Sequence, residues 1–201
     1  ILISYHKPSN LLKGGIYLPI HVGRDIAEKC SKDGQISEKD YKWLIENLIG
    51  DNTGDNISAK NREWCELTAI YWAWKNYDKI GNPDYIGFMH YRRFFDFGKY
   101  KYKNDIHNFV QNYYFIILER AILSGYDKNN YDQYKNFEHH YIEDLEKAIN
   151  ILKRVSPEYS DYADKYLKLD YSYFCNMFIM KKELFFKYCK WIFSILNELE
   201  K

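Results

Sequence analysis

Proline is scarce in this chain, four residues in 201, and so is cysteine, also four. With no Pro-, Gly- or Ser-rich tract, nothing in the composition marks a linker, a repeat or a low-complexity segment. Cys30, Cys65, Cys175 and Cys189 form no Cys-x-x-Cys pair and have no histidine at zinc-finger spacing, which excludes a sequence-marked zinc site. Unpaired cysteines of this kind fit a reducing compartment, so the expectation is a cytoplasmic protein. No apolar run approaches the roughly 18 residues a bilayer-spanning helix needs. No signal-peptide pattern opens the chain, although it begins at Ile1 without a methionine, so a few leading residues are expected to precede it. A charge excess is missing as well. Twenty-nine Lys and Arg stand against 28 Asp and Glu, and a net charge of +1 gives no electrostatic case for nucleic acid as the main partner.

Aromatic residues are plentiful, with 21 tyrosines and 12 phenylalanines. Tyrosine pairs a flat apolar face with a polar edge, which suits sugar and base recognition; a coding bias toward Lys, Asn, Ile and Tyr would give the same excess. The length fits a single domain that can bury a substantial core without disulfides.

Helix-like and strand-like patterns alternate along the chain, which predicts an α/β or α+β domain. Ile1–Tyr5 reads as a first strand left through His6-Lys7-Pro8, and Ile16–Val22 as a second extended segment ended by Gly23. Ser37-x-x-Asp40 resembles a capping box and opens a helix to about Leu48. Gly50–Asn56 is loop by composition. Asn61–Asn76 is predicted to be one helix, apolar nearly all round and therefore buried, with Cys65 as a small core residue and Glu66 as an acid needing a partner such as Arg92, Arg93 or a tyrosine. Gly98–Asn104, the surroundings of His107, and Ser124–Asn136 read as loop; Phe115–Leu118 and Tyr173–Met180 as strands; Phe137–Val155, Pro157 to Leu167, and Glu183–Lys201 as helices. The last has no stop signal, which predicts that the chain continues.

One stretch carries chemistry on its face. In Tyr85–Phe95 an apolar, strand-like run ends in His90-Tyr91-Arg92-Arg93. Ligands of α/β folds bind outside the carboxyl ends of the strands. Guanidinium groups there would read a diphosphate through bidentate hydrogen bonds. The alternative is a strand end whose arginines pair with surface carboxylates. His107, His139 and His140 read as structural or solvated; adjacent histidines on a helix diverge by about 100° and cannot share a metal as an i, i+4 pair would.

Four blocks occur in order: Asp51-Asn52-Thr53-Gly54-Asp55-Asn56-Ile57-Ser58, the run Cys65 to Asn76, His90-Tyr91-Arg92-Arg93-Phe94-Phe95, and Asn176-Met177-Phe178-Ile179-Met180. Together with Tyr5-His6-Lys7 and the run Tyr17 to Gly23, they resemble a bacterial family of capsular and exopolysaccharide biosynthesis proteins, long described only as a domain of unknown function and regarded as glycosyltransferases. The resemblance covers nearly the whole chain. It implies a GT-A-like, Rossmann-related fold with a helical C-terminal part, and a hexosyltransferase that moves a sugar from a UDP-sugar or similar nucleotide donor to a growing glycan. It also implies that members extend past Lys201.

On that implication the donor would meet Tyr5, His6, the turn Gly23, Arg24 and Asp25, the group His90, Tyr91, Arg92 and Arg93, and Asn176. The base that activates an acceptor hydroxyl is open between Asp55, Glu66 and Asp170. Enzymes of the GT-A type commonly hold Mn²⁺ or Mg²⁺ on an Asp-x-Asp motif, and this chain has none. Arginines at the strand end would take over the metal's role at the leaving diphosphate, or Asp51 and Asp55 would form a metal site from their loop. A glycan or lipid-linked glycan is the expected acceptor, the latter bringing the protein to the inner membrane face, where Lys187, Lys190 and Trp191 would meet lipid. The other readings are a non-catalytic glycan-binding module and a nucleotide-sugar hydrolase.

Overall fold

The computed structural model describes residues 1–27, 36–98, 103–125 and 127–201. Cys30, Tyr126 and positions 99–102 of the expected 98–104 loop lie outside the described residues. The chain divides into two compact units.

The first unit comprises Ile1–Ile117 and Asn176–Phe186. It holds β1 (Leu2–Tyr5), β2 (Leu18–His21), α1 (Arg24–Ala27), α2 (Glu38–Asn47), β3 (Ile49–Gly50), α3 (Asn61–Trp64), α4 (Leu67–Lys75), β4 (Tyr85–His90), α5 (Lys103–Val110), β5 (Phe115–Ile117) and β8 (Phe178–Lys181). The sheet order is β3-β2-β1-β4-β8-β5. The first four strands are parallel; β8 runs antiparallel to both of its neighbours. Parallel strands are covered on both faces and so read as unbroken apolar runs. β1 obeys this, buried at every residue, and Ile3, Ile20, Ile70 and Ile86 form the floor of the core. Gly87 is required where β4 and β8 meet, because a Cβ there would stand 2.8 Å from Ile179 Cγ1. Phe88 then packs on Phe178 and Phe185 at ring separations of 5.2 and 5.6 Å.

The second unit comprises Leu118–Cys175 and Lys187–Lys201. In it the two-stranded pair β6 (Ala121–Ile122) and β7 (Tyr171–Ser172) accompanies α6 (Asn130–Asn136), α7 (Ile142–Val155) and α8 (Ser160–Tyr166). The helix α9 (Lys182–Leu199) starts in the first unit and supplies its later turns to the second. Within the second unit Asn130 Nδ2 donates to the carbonyls of Tyr166 and Tyr171, and Trp191 packs against Tyr159 at 5.4 Å. No described helix is long and apolar enough to cross a membrane.

Ser37 caps α2 as its spacing predicts, accepting from the Asp40 amide at 3.1 Å. Several expectations are corrected. The predicted helix Asn61–Asn76 is two helices, broken at Cys65, whose φ of 47° and ψ of −129° are not helical. Cys65 is accordingly half-buried, whereas Cys189 is fully buried, with burial raising its thiol pKa. Lys103–Val110, with His107, is helical rather than loop because Ile106 and Val110 pack on Ile179. Asn130–Asn136 is helical because Asn129 caps it, accepting from the Asp132 amide. α7 starts at Ile142, five residues later than its pattern suggests. The predicted strand Tyr173–Met180 is shorter: Cys175 and Asn176 have φ of 79° and 43°, left-handed values that postpone pairing until Phe178.

Candidate functional site

The carboxyl ends of the four parallel strands share one edge of the sheet, and most of the sequence-predicted site residues lie on it. β1 and β4 are neighbours with Ser4 opposite His90, and the Tyr91 amide donates to the Ser4 carbonyl at 3.1 Å. β8 begins at the same edge. Phe178, its first residue, pairs with Phe88, and Asn176 lies two residues before it, outside the ladder.

Tyr5 is fully buried, and its hydroxyl donates to the Asn10 carbonyl and accepts from the Leu12 amide. It therefore ties down the loop after β1 rather than facing a ligand. His6, the next residue, sits edge-on to the Tyr91 ring at 5.2 Å. Tyr91 is wedged between Tyr5 and His6, is 6% exposed, and has no hydrogen-bond partner for its buried hydroxyl among the described residues.

The strand end turns sharply, with the Arg93 amide donating back to the His90 carbonyl at 3.0 Å. That turn puts Arg92 and Arg93 in solvent. Arg92 lies over the Tyr91 ring at 5.0 Å. Neither guanidinium has an ion-pair partner among the described residues, so the expected pairing with Glu66 does not occur. Two adjacent unneutralised cations at the carboxyl end of a parallel strand can hold an anion with several oxygens.

A second polar group on this edge is closed. Asp51, directly after β3, is fully buried. Its carboxylate accepts from the Gly23 and Arg24 amides at 2.8 and 3.2 Å and from the Ser58 and Thr68 hydroxyls at 2.5 and 2.7 Å. Burial raises its pKa, opposed by those four bonds. Gly23 has a φ of 70°, and a Cβ there would stand 2.6 Å from the Asn61 side chain. Arg24 donates to His21 Nδ1 and to the carbonyls of Leu44 and Leu48 at the end of α2, so three of its donor contacts are internal. His21, 1% exposed, is pushed down to about 3 by burial first, then by Arg24 and His6, and is neutral near pH 7. Asp25 is exposed and accepts from Asn52 Nδ2.

The three base candidates have different surroundings. Asp55 accepts from the Tyr71 hydroxyl at 3.1 Å and pairs with Lys75 at 3.8 Å. Asp170 lies in the second unit, where its backbone carbonyl accepts from the Leu123 amide. Glu66 is half-buried and accepts from Asn176 Nδ2 at 2.9 Å, a partner that sequence reasoning had not matched to it. The described residues contain no group of three or more His, Cys, Asp or Glu able to enclose a metal ion. The Asp51 carboxylate already takes four protein donors, whereas Asp55 accepts from Tyr71 and stands 3.8 Å from Lys75.

Ligands of α/β folds bind outside such strand ends, but a cavity of about 480 Å³ does not lie there. It lies at the opposite edge, by the amino ends of β1 and β4, lined by Ile1, Ile16, Ile86, Ile106, Val110 and Ile179. Its walls are mainly apolar, with Tyr17, Asp84, Tyr85 and His107 among them. The carboxyl edge instead carries exposed charge at Asp25, Arg92 and Arg93.

Comparison with known proteins adds three findings. The model of a family described as a domain of unknown function, DUF4422, matches residues 1–201. A solved structure of a bifunctional glycosyltransferase named WbbM, in its apo form, is 33% identical with a TM-score of 0.78 over 99% of this chain, which spans 36% of that longer chain. No curated protein matches. The architecture is thus a mixed α/β, GT-A-like Rossmann fold with C-terminal helices.

Proposed function

The chain belongs to the DUF4422 family, and from its likeness to a solved bifunctional glycosyltransferase we propose that it is a glycosyltransferase domain. Its donor is a nucleoside-diphosphate sugar, a UDP-hexose in the first instance, and its acceptor a growing capsular or exopolysaccharide glycan, free or lipid-linked. The single observation that carries the donor half is the pair Arg92 and Arg93, exposed at the carboxyl end of β4 and without ion-pair partners among the described residues. The likeness to a bifunctional glycosyltransferase supports the class of reaction.

In glycosyl transfer the anomeric C–O bond to the diphosphate breaks, and its electron pair leaves on the diphosphate. Cationic donors fixed where that charge grows lower the barrier. Arg92 is oriented by the Tyr91 ring beneath it. Tyr91 is held in turn between Tyr5 and His6, which fixes the ring on which Arg92 rests. Because Asp51 and Asp55 are occupied by protein donors, the arginines rather than a divalent cation neutralise the leaving group in this proposal.

The test is a thermal-shift screen of UDP, dTDP, GDP and the matching nucleosides, with and without Mn²⁺. A diphosphate should raise the melting temperature where its nucleoside does not, and Mn²⁺ should add little. No stabilisation by any diphosphate would remove the donor assignment and favour a glycan-binding module.

A further inference from the structure

We propose that Glu66 is the group that takes the proton from the acceptor hydroxyl, and that Asn176 and the broken helix before Glu66 are the devices that aim it; this rests on the glycosyltransferase reading above. The reasoning starts from a backbone that local sequence does not favour. Cys65 adopts φ 47°, ψ −129°, a region costly for a residue with a side chain. Its carbonyl is gripped by Asn61 Nδ2 at 2.7 Å and by the Thr68 hydroxyl at 3.1 Å. The single Thr68 hydroxyl proton is shared between that carbonyl and, at the shorter 2.7 Å, Asp51, the buried carboxylate that collects the Gly23 and Arg24 amides. One buried network thus forces the chain out of helix just before Glu66.

The partner is held in an equally unusual way. Asn176 follows Cys175 with both residues at positive φ. Its amide nitrogen donates to Glu66 Oε1 across 110 residues of sequence. Strain of this kind persists only where surrounding bonds enforce it, and it clusters at functional sites. The Asn176–Glu66 contact is the one hydrogen bond to the Glu66 carboxylate, which has no cation beside it among the described residues. Its other oxygen is left to accept from a ligand hydroxyl. Asn176 lies two residues before β8, whose first residue Phe178 pairs with Phe88 of the strand that ends in Arg92 and Arg93, so base and cations belong to the carboxyl edge of one sheet. By contrast Asp55 is bound to Tyr71 and Lys75, and Asp51 is saturated.

The step balances without a further reactant. The acceptor O–H proton passes to the Glu66 carboxylate as the acceptor oxygen bonds the anomeric carbon. The bond from that carbon to the diphosphate oxygen breaks, and the electron pair leaves with the nucleoside diphosphate. Attack opposite the leaving group predicts inversion at the anomeric carbon.

Glu66→Gln tests this, because the Gln carbonyl can still accept from Asn176 while losing the ability to take a proton. The probes are UDP for binding and a panel of UDP-hexoses with alkyl glycosides for turnover. The variant is expected to bind UDP as the wild type does and to lose acceptor-dependent UDP release by about a hundredfold or more. The acid limb of its pH–rate profile should vanish. Asn176→Ala, which leaves the acid in place, should lower kcat with little change in UDP affinity and displace that limb. Turnover within threefold of wild type for Glu66→Gln, or an unmoved pH profile for Asn176→Ala if the first variant fails to fold, overturns the proposal and leaves the donor reading intact. So does a wild type that binds UDP but releases it from no donor. A wild type that neither binds UDP nor turns over any donor removes the donor reading and this proposal together.

Discussion

Two polar groups occupy the same edge of the same sheet and are built on opposite terms. Around Asp51 each oxygen of the carboxylate accepts from two donors inside the protein, and nothing is left for a ligand. At the end of β4 the two guanidiniums are exposed and, among the described residues, unpaired, and the Tyr91 hydroxyl beside them is unsatisfied. A saturated buried group holds a fold; solvated charge at a strand end is where the proposed anion would bind. The Asp51–Ser58 and His90–Phe95 blocks both stand out in the sequence, yet Asp51 is closed by internal hydrogen bonds and Arg92 and Arg93 are exposed.

The sharpest way to break this contrast is Asp51→Ala. It strands four donors, two of them backbone amides, at about 1–3 kcal/mol for each group left buried and unsatisfied. A loss above about 3 kcal/mol in urea denaturation is expected, with no native-like fold at 37 °C as the extreme. A loss below 1 kcal/mol would mean the network is dispensable.

Arg92→Ala and Arg93→Ala should behave in the reverse manner. Unliganded stability should stay within about 0.5 kcal/mol of wild type. Affinity for a nucleoside diphosphate should fall by roughly ten- to a hundredfold for the loss of one charge-assisted contact. Affinity for the nucleoside should hardly change. Isothermal titration of both ligands decides it, and equal losses for both would assign the arginines to the fold.

His21 gives the comparison a pH axis. Its folded pKa, pushed down to about 3, lies below its unfolded value near 6.5. The folded state therefore binds fewer protons, and the stability His21 contributes is fully present above pH 6.5 and is lost as pH falls toward 3. Between pH 7 and pH 5 the loss is about 2 kcal/mol at 1.4 kcal/mol per pH unit. His21→Gln should flatten that limb in urea denaturation; an unchanged slope would show that His21 is not the group responsible.

The smallest effect expected is at Ser37→Ala, remote from both groups. Loss of the cap on α2 should cost about 1 kcal/mol, visible as a lower melting temperature with unchanged diphosphate affinity. Any change in affinity would connect α2 to the carboxyl edge, which its contacts with Arg24 make the one route to examine.

Much of the fold was legible because it is written in near neighbours. Leu2–Tyr5 and Tyr85–His90 are apolar runs of strand length, Ser37 precedes a helix with the right spacing, and the pattern of Lys182–Leu199 repeats at helical period. The position of Arg92 and Arg93 followed from the strand before them and the rule for strand ends. The break at Cys65 was not legible: apolar residues wrap the whole segment, so its periodicity carries no interruption, and the bonds that break it come from Asn61, Thr68 and, beyond them, Asp51. Lys103–Val110 and Asn130–Asn136 are polar enough to read as loop and become helix through packing on Ile179 and through the Asn129 cap.

By itself, then, the sequence determined the kinds of elements, the α/β class and the cationic strand end, because each depends on side chains a few residues apart. Only the tertiary structure decided that Glu66 would meet Asn176 instead of an arginine, and that Asp51 would be closed while Arg92 and Arg93 stayed open. Those outcomes depend on which of many polar groups meet across separations such as the 110 residues between Glu66 and Asn176, and local spacing carries no information about pairing at that range.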